Sequence, residues 1–460
     1  MGMTSRRTTG ARWWVLAAST GLSVAGLLVA ACSLIYDPDL KEFAEFGDRC
    51  VEGSDCASGI CRSDRCTREC AGSDPCGDTS ECRSGFCSFT SPPPLDGPAK
   101  IAFIYNDEVE EHGMIKTHDE AREYVGRNVD GSEATAFPSV SASKVSSTID
   151  SLVADGFNVV IGTNSDYLNA IQNGALRHTD VNFLIYSVYP DLEPAPNMGS
   201  YFGRMYQVMF MMGLLAGGQT KTNRVGVIAP VAIPETVCNI NAFAQGVFAK
   251  NAEAQVVVRW INAWSHDTLE ATAAGELVED ANTDVVLGYT ETTNAIEAAA
   301  ALTTAEGDPV YVIGYGSPNA CEAADSRCIS AAYWNFGPML TEMVEAMVAG
   351  TWVPSVVWEQ IVGDPQRSPV YFSSITVVPS GLRMEVEAYV AELARNDDAA
   401  RMLPFEGPVR DTAGATRISS GHYPSDDDLL SMCWFVEGIY QIQDGEPPTL
   451  VPGVVPASCR

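Results

Sequence analysis

Apolar residues cluster along the chain in runs whose lengths distinguish helices from strands. Residues 205–215 are apolar at nearly every position, and the short run RVGVIA follows at residues 224–229. The first run predicts a helix buried within a domain and is too short to cross a bilayer. The second predicts a buried strand, and Pro234 opens another helix after it. We expect two α/β half-domains to meet between residues 197 and 248.

A regular alternation of strand and helix patterns extends through the chain from residue 99. Strands that alternate with helices predict a parallel sheet with crossover helices. The two halves of the main body repeat this rhythm, so we expect two α/β lobes with a cleft between them. The predicted strands cover residues 101–105, 158–161, 182–187, 224–229, 255–260, 285–288 and 310–313.

Polar and aromatic residues follow most of the predicted strands. Open parallel sheets bind ligands beyond the carboxyl ends of their strands, and a small-molecule site needs a few polar groups within an apolar cleft. The strand ends therefore supply the candidate site. The segments concerned are residues 106–113, 162–166, 187–189, 230–236, 289–292 and 314–317.

Length and charge narrow the range of functions. At 460 residues the chain exceeds what one hydrophobic core usually organises, so we expect two globular units with appendages. The formal net charge is −31, and nucleic-acid binding is not expected because phosphate contacts need a basic surface. The five histidines lack metal-ligand spacing, so neither a metal site nor a cofactor is expected.

The N-terminus has the pattern of a bacterial lipoprotein signal. Three arginines precede an apolar stretch at residues 13–29, and small residues lead to Cys32. The segment LVAAC resembles the lipobox, in which cleavage precedes a cysteine that receives a lipid. We predict lipidation at Cys32 and a lipid-anchored location in the cell envelope, periplasmic or facing the surface. A transmembrane anchor with an incidental cysteine is the alternative.

A cysteine-rich block follows the signal. Eight of the fourteen cysteines fall between Cys50 and Cys87, and CASGIC at residues 56–61 matches CRSGFC at residues 82–87. In an exported chain this pattern predicts a duplicated, loop-rich unit held by disulfides. A zinc module is the alternative, but the paired C-x-x-C spacing is absent.

Five further cysteines lie in the main body of the chain. Cys321 and Cys328 are near enough in sequence to form a local disulfide, and a disulfide between Cys433 and Cys459 would pin the end of the chain. Cys238 is then left over, and we expect it to be buried. None of these cysteines needs a catalytic role.

Composition shifts divide the chain into successive segments. Consecutive prolines after the cysteine-rich block favour an extended spacer. The expected order is a signal peptide (1–31), a tether (32–48), the duplicated cysteine-rich module (49–90), the spacer (91–98), a two-lobed domain (99–440, with lobe 1 at about 99–222 and 336–440 and lobe 2 at about 223–335) and a tail (441–460).

Several ordered blocks of the main body resemble the basic membrane protein family of ABC-transporter substrate-binding lipoproteins. The resemblance covers about residues 99–439 and includes YFGRMYQVMFMMGLLAGGQTKTNRVGVIAPVAIPETVCNINAFAQG, INAWSHDTLEATAAGELVEDANTDVVLGYT and MLPFEGPVRD followed by LLSMCWFVEGI. It implies an α/β type I periplasmic binding protein fold, with two doubly wound lobes joined by hinge crossovers, here preceded by a small disulfide-rich module. It also implies closure around a purine nucleoside or related base.

The resemblance further implies which residues contact the ligand. Phe243 matches the family's F-x-x-G aromatic and is the candidate for stacking, while Gly246 permits close helix packing. Met114 stands where the family has an aromatic ring and Gly316 where it has a carboxylate, so a free base or another aromatic ligand is also a candidate. The ligand-binding candidates are Asn106, Met114, Thr163, Asn164, Tyr189, Asn241, Phe243, Thr290, Tyr315, Ser317 and Trp334.

The favoured function is a lipid-anchored extracytoplasmic receptor that closes on a purine nucleoside or base for an ABC importer. Its expected partners are the ligand, an ABC permease and the membrane. A sensor or surface-displayed binding protein of the same fold, without transport, is the first alternative, and a nucleoside hydrolase is a remote one. No Ser-His-Asp arrangement with a recognisable nucleophile elbow is present, so we do not expect an enzyme.

Overall fold

The computed structural model describes most of the chain beyond residue 95. The described residues are 60–62, 65–67, 80–83, 86–89, 95, 97–188, 195–395, 400, 402–443 and 449–459. The predicted signal peptide, the lipidation site Cys32 and the candidate Tyr189 lie outside these residues. Of the module's eight cysteines, Cys50, Cys56, Cys70 and Cys76 also lie outside them, and the other four are described by their backbone alone.

Two short hairpins occur in the cysteine-rich segment. Strand β1 (Ile60–Arg62) pairs with β2 (Arg65–Thr67) in antiparallel fashion, and β3 (Ser80–Arg83) pairs with β4 (Phe86–Phe89). Each hairpin turns within a Cys-Arg-Ser-x-x-Cys sequence, at residues 61–66 and 82–87. By this structural criterion, residues 61–66 of the first copy correspond to residues 82–87 of the second, in place of residues 56–61.

The first lobe is built on a six-stranded sheet in which all neighbouring strands are parallel. Its strands are β5 (Lys100–Ile104), β6 (Glu133–Phe137), β7 (Val159–Gly162), β8 (Asn182–Tyr186), β9 (Met198–Gly203) and β15 (Val356–Glu359). They lie in the order β15-β9-β8-β7-β5-β6. The helices of this lobe are α1 (Gly113–Asn128), α2 (Val145–Ala154), α3 (Leu168–Arg177) and α8 (Gly337–Val348).

The second lobe is built on an eight-stranded sheet. Its strands are β10 (Arg224–Ala229), β11 (Gln255–Trp260), β12 (Val285–Gly288), β13 (Tyr311–Gly316), β14 (Cys328–Trp334), β16 (Val370–Phe372), β19 (Ile439–Gln443) and β20 (Thr449–Pro452). They lie in the order β16-β14-β13-β12-β10-β11-β19-β20. The inner strands are parallel, and the edge strands β16 and β20 are antiparallel to their neighbours.

Six α-helices and a small hairpin also belong to the described part of the second lobe. The hairpin pairs β17 (Val409–Arg410) with β18 (Thr416–Ile418). The helices are α4 (Met205–Gln219), α5 (Pro234–Lys250), α6 (Asp267–Gly275), α7 (Asn294–Ala300), α9 (Ser380–Leu393) and α10 (Asp426–Leu430).

Over the described residues, the chain passes between the lobes three times. The crossings lie at Arg204 between β9 and α4, at Asn335 between β14 and α8, and over residues 360–369 between β15 and β16. At the first crossing the buried Arg204 guanidinium bonds both carboxylate oxygens of Asp426, at 2.8 and 2.7 Å, and lies 4.1 Å from the Trp358 ring centroid. The first crossing is therefore anchored to both lobes.

The lobe boundaries differ from those expected from the sequence. Helix α4, expected in the first lobe, packs against α5 and β14 of the second. Helix α9 also packs against α4, so only α8 and β15 of the predicted 336–440 segment belong to the first lobe's layers. Strand β19 pairs with β11, and β20 pairs with β19, so part of the predicted tail completes the sheet. Local patterns do not specify such partners because these contacts join residues far apart in the chain.

Helices α4 and α5 cross at two glycines. All residues from 205 to 217 are buried, as the apolar run predicts. A Cβ atom on Gly246 would lie 2.0 Å from the Phe210 carbonyl oxygen, and one on Gly213 would lie 1.9 Å from the Phe243 carbonyl oxygen. The two backbones therefore touch, and the close packing predicted for Gly246 is confirmed.

The cysteine predictions for the main body are confirmed. Cys321 pairs with Cys328, and Cys433 pairs with Cys459, which fastens the end of the chain to the segment before β19. Cys238 on α5 is a free, buried thiol. Within the part of the chain that the structure describes, no helix combines the length and apolarity needed to span a bilayer.

Candidate ligand-binding site

A cavity of about 530 Å³ lies between the lobes, at the carboxyl ends of their strands. The first lobe contributes the segments after β5 and β7 and the N-terminus of α1. The second lobe contributes the segments after β10, β11 and β12, together with the end of β13. Because this volume suits a small molecule, the cavity is the candidate ligand site. The predicted candidates that line it are Asn106, Met114, Thr163, Asn164 and Tyr315.

The first-lobe wall holds its polar side chains in fixed positions. The buried Thr163 hydroxyl donates to the Ile104 carbonyl at 2.8 Å. The Asn164 side-chain oxygen accepts the Asp166 backbone N–H at 2.8 Å and so caps a short 3₁₀ turn. Asn106 is exposed after β5. Asn106 and the Asn164 amide nitrogen therefore offer hydrogen-bonding groups at this wall.

The N-terminus of α1 meets the second lobe across the cavity. Gly113 adopts a φ of +86°, and a Cβ there would collide with Glu291, so glycine is required for the close approach. The Met114 N–H donates to a Glu291 carboxylate oxygen. The Thr117 hydroxyl donates to the Gly316 carbonyl at 3.1 Å. Glu291 thus satisfies a helix N–H of the other lobe, where the helix's own N-cap side chain makes no such bond.

Two carboxyl groups with shifted pKa values line the second-lobe wall. Glu235 lies in the first turn of α5, and Glu291 follows β12. Burial raises the pKa of Glu235 to about 7, and the nearby charge of Glu291 adds to the rise. Burial raises the pKa of Glu291 to about 7 as well, against the lowering effect of the Met114 N–H. Near neutral pH the pair therefore retains protons that ordinary glutamates have lost.

Aromatic rings form the apolar part of the cavity wall. Tyr186 ends β8, Trp264 follows β11, and Tyr315 lies on β13. The Tyr315 hydroxyl accepts a 3.0 Å hydrogen bond from the Trp334 indole, and its ring meets Tyr289 edge-on with centroids 4.5 Å apart. These contacts hold the Tyr315 ring in place, so the wall can present a rigid aromatic surface to a flat ligand.

A buried histidine supports the cavity from behind. The His118 ring stacks on Phe336 with centroids 4.9 Å apart and meets Tyr186 edge-on at 5.2 Å. Burial lowers the pKa of His118 to about 4, so the ring is neutral, and its Nδ1–H donates to the Met114 carbonyl at 2.9 Å. His118 therefore positions both Tyr186 and the first turn of α1.

Two predicted residues of α5 do not line the cavity. Phe243 is fully buried where α5 crosses α4. The Asn241 side chain donates to the Trp434 carbonyl at 2.7 Å and accepts the Val436 N–H at 3.0 Å. Both side chains are occupied in the interior of the second lobe, and only the first turn of α5 reaches the cavity. The prediction that they face the ligand is therefore corrected.

Three other candidates lie behind the wall. The Thr290 hydroxyl donates to the Glu270 carboxylate at 3.0 Å, and the Ser317 hydroxyl donates to the side chain of Asn319. Trp334 is buried and contacts Tyr315. None of the three lines the cavity. Strand ends alternate their side chains between two faces, so neighbouring positions differ in whether they reach the cleft.

Several cavity residues were missed as individual candidates. Glu235 and Glu291 fall within strand-end segments that the sequence singled out, whereas Trp264 follows β11, whose end was not considered. Tyr186 is the last residue of β8. Applying the strand-end rule to every predicted strand would have found Trp264. No local sequence pattern distinguishes Glu235 from the many glutamates of this acidic chain that would be expected at the surface.

Comparison with known proteins gives the chain a family context. Residues 99–361 match the family described as "ABC transporter substrate-binding protein PnrA-like". A purine-binding protein of Brucella abortus (strain 2308) is 26% identical over 342 residues, which cover 74% of this chain and 92% of that protein. The putative ABC transporter glucose-binding protein TsgA13 of Haloferax volcanii is 28% identical over 257 residues, covering 56% of this chain and 63% of that protein.

Solved structures share the two-lobed architecture. A solute-binding protein of an ABC transporter system from Conexibacter woesei has a TM-score of 0.51 at 22% identity, covering 64% of this chain and 96% of its own. A transcriptional activator of the comK gene from Bacillus halodurans has a TM-score of 0.55 at 18% identity, covering 65% and 98%. At these identities the likeness shows the fold alone, and the predicted binding-protein fold is confirmed.

Proposed function

The chain belongs to the PnrA-like family of ABC transporter substrate-binding proteins, and on that basis we propose that it closes on a purine nucleoside or base for an ABC importer. The family and the fold are those of binding proteins and not of enzymes. Proteins of this class work outside the cytoplasm. We further propose that a lipid on Cys32 anchors the receptor to the membrane.

The observation that carries the purine proposal is the aromatic lining of the interlobe cavity. Tyr186, Trp264 and Tyr315 all reach it, and a flat base gains dispersion and quadrupole contacts against such rings. The hydrogen-bonding groups of Asn106 and Asn164 lie on the first-lobe wall, across the cavity from Trp264 and Tyr315, where they can meet the edge of a base or a sugar. The Brucella relative described as purine-binding supports the same ligand class.

The mechanism is hinge closure without chemistry. The three crossings between the lobes supply the hinge, and the bond from Met114 to Glu291 and the bond from Thr117 to Gly316 join the two lobes at the cavity. Opening would break both bonds and expose the cavity. A ligand that touches both walls binds the closed form more tightly and so shifts the population toward it.

The ligand class is tested by calorimetry and thermal unfolding of the full-length protein with adenosine, inosine, hypoxanthine and glucose. A purine at 100 times its Kd should stabilise the fold by about 2.7 kcal/mol. Glucose serves as the competing arm because the Haloferax relative is described as glucose-binding. A clear shift with glucose and none with any purine would refute the purine proposal.

The aromatic wall is tested by Trp264→Ala. Loss of one stacking ring should weaken purine binding by roughly 5- to 150-fold, since such contacts contribute about 1–3 kcal/mol. Trp260→Ala is the matched control, because Trp260 ends β11 and stacks on Phe435 away from the cavity lining. Equal affinities for both variants, with intact circular dichroism spectra, would remove Trp264 from the site.

The anchor and the transport role need separate tests. Cys32→Ser should abolish incorporation of radiolabelled palmitate and release the protein from the membrane fraction, and unchanged labelling would contradict lipidation at Cys32. Cells lacking the protein should lose uptake of a radiolabelled purine that binds it. Undiminished uptake despite tight binding would favour the sensor or surface-binding alternative.

A further inference from the structure

Acidic side chains dominate the charge of the cavity. Among the lining residues that the structure describes, none is lysine or arginine, and His112 is the single histidine. Four carboxylates, called here the mouth carboxylates, are exposed in the first lobe, while Glu235 and Glu291 are partly buried in the second. A bound anion would meet like charge at this surface. The mouth carboxylates are those of Asp107, Glu108, Glu110 and Asp166.

The helix N-termini at the cavity are already matched with protein carboxylates. The N-terminus of α1 receives Glu291 through the Met114 N–H, and α5 carries Glu235 in its own first turn. Free helix N-termini attract phosphates and carboxylates of ligands. Because protein carboxylates occupy these positions, the cavity does not offer an anion a free helix N-terminus.

Glu235 is the clearest sign of a missing partner. Its carboxyl group has neither a hydrogen-bond nor an ion-pair partner among the residues that the structure describes, and the charge of Glu291 acts on it. Tyr186, Trp264 and Tyr315 line the same cavity. A cation over an aromatic face is attracted by the ring quadrupole, and a cation beside a carboxylate removes its repulsion from the neighbouring one. The carboxylates and rings together favour a cationic aromatic ligand.

On the basis of the receptor function proposed above, we infer that the ligand carries a delocalised positive charge on a planar nitrogen heterocycle, with its charge between Glu235 and Glu291. Within the purine class, this means a cationic or readily protonated base. Its ring lies against the aromatic wall, and its N–H groups or charged edge meet the two carboxylates.

The raised pKa values of the pair make this binding depend on pH. The unliganded folded protein holds protons that the unfolded chain releases above about pH 4.5, so this contribution to stability falls as pH rises toward 7. A cation binds the ionised pair, so its affinity should rise between pH 6 and pH 8, by about tenfold for each carboxylate that must ionise.

The buried tyrosines and the cysteine near the pair do not change charge in this pH range. Burial raises the pKa of Tyr186, Tyr289 and Tyr315 well above the ordinary value, and burial beside Glu235 also raises the pKa of the Cys238 thiol. They therefore stay neutral between pH 6 and pH 8. The remaining groups at the cavity are His112 and the mouth carboxylates.

Adenosine and two methylated derivatives separate the effect of ligand charge on affinity from the effect of ligand size. Adenosine and N6-methyladenosine are neutral, whereas 1-methyladenosine is cationic at neutral pH. Each of the two derivatives carries one added methyl group, so they differ in charge and are matched in size. Calorimetry with the full-length protein at pH 7.5 should show 1-methyladenosine binding at least about tenfold tighter than N6-methyladenosine. Glu235→Gln should reduce that ratio toward one, and Glu322→Gln, an exposed residue outside the cavity lining, should leave it unchanged.

The outcomes distinguish this inference from the receptor function itself. Equal or tighter binding of the neutral nucleosides would overturn the charge inference and leave the purine proposal standing. Binding of a non-purine aromatic cation such as thiamine, with no purine bound, would overturn the purine class and support the charge inference. Binding of glucose alone would overturn both. A ratio that persists in Glu235→Gln would also overturn the assignment of the charge to this pair.

Discussion

The crossing of α4 and α5 makes Gly246→Ala a sharp test of the packing. The new Cβ would lie 2.0 Å from the Phe210 carbonyl oxygen and 2.9 Å from the Leu214 nitrogen. Both atoms belong to the backbone, so no side-chain rotation relieves the overlap. Restoring a contact of about 3 Å would push the helices apart by roughly 1 Å, which loosens their packing along the whole interface.

The expected cost follows from this displacement. Overpacking a core typically costs about 1–3 kcal/mol, and we expect about 3 kcal/mol here because the clash is with backbone. For a unit of roughly 200 residues, each kcal/mol lowers the melting temperature by about 2–4 °C. Gly246→Ala should therefore lower the melting temperature by about 6–12 °C.

Gly275→Ala is the matched control for this prediction. Gly275 has helical backbone angles, with a φ of −58°, and a Cβ there would meet nothing within 4 Å. Alanine should stabilise that position by up to about 1 kcal/mol. Thermal unfolding of both variants, followed by circular dichroism, makes the comparison. If Gly246→Ala melts within about 1 °C of the unsubstituted protein, the glycines do not set the distance between these helices.

Three further perturbations have expected results. Asn241→Ala should cost about 2–3 kcal/mol in urea unfolding, because two buried backbone groups lose their partner, but purine affinity should not change; a large loss of affinity would return Asn241 to the site. Asp426→Asn should cost about 2 kcal/mol by removing the charge that pairs with buried Arg204, and an unchanged melting temperature would contradict that role. Replacing Cys433 and Cys459 by serine opens a loop with a sequence separation of 26; the chain-entropy model gives a loss of about 3.5 kcal/mol, and an unchanged urea midpoint would contradict it.

Much of the fold was predictable because its elements depend on local pattern. The strand Arg224–Ala229 and the helix that begins at Pro234 were predicted with the bounds observed at those points. The segments after the strands also lead to the cavity, because parallel strands present their carboxyl ends at one edge of a sheet. The short separation of Cys321 and Cys328 in sequence predicted their disulfide.

The site was less predictable because helices α4 and α5 are buried on nearly all faces. Such a helix has no amphipathic phase from which to read the direction of each side chain. Phe243 and Asn241 were therefore assigned to the cavity, although α5 reaches it only through its first turn and Glu235. The family resemblance placed α5 beside the cleft but did not give the rotation of α5 about its own axis.

The sequence by itself determined the alternation of strands and helices, the two-lobed class of fold and the segments from which a ligand site is drawn. Only the tertiary structure decided the lobe to which α4 belongs, the place of β19 in the second sheet and the contact between Met114 and Glu291. These residues are 177 positions apart, and their meeting depends on how the two lobes come together. The raised pKa values of Glu235 and Glu291 have the same origin, because burial and charge proximity exist only once the lobes enclose the cavity.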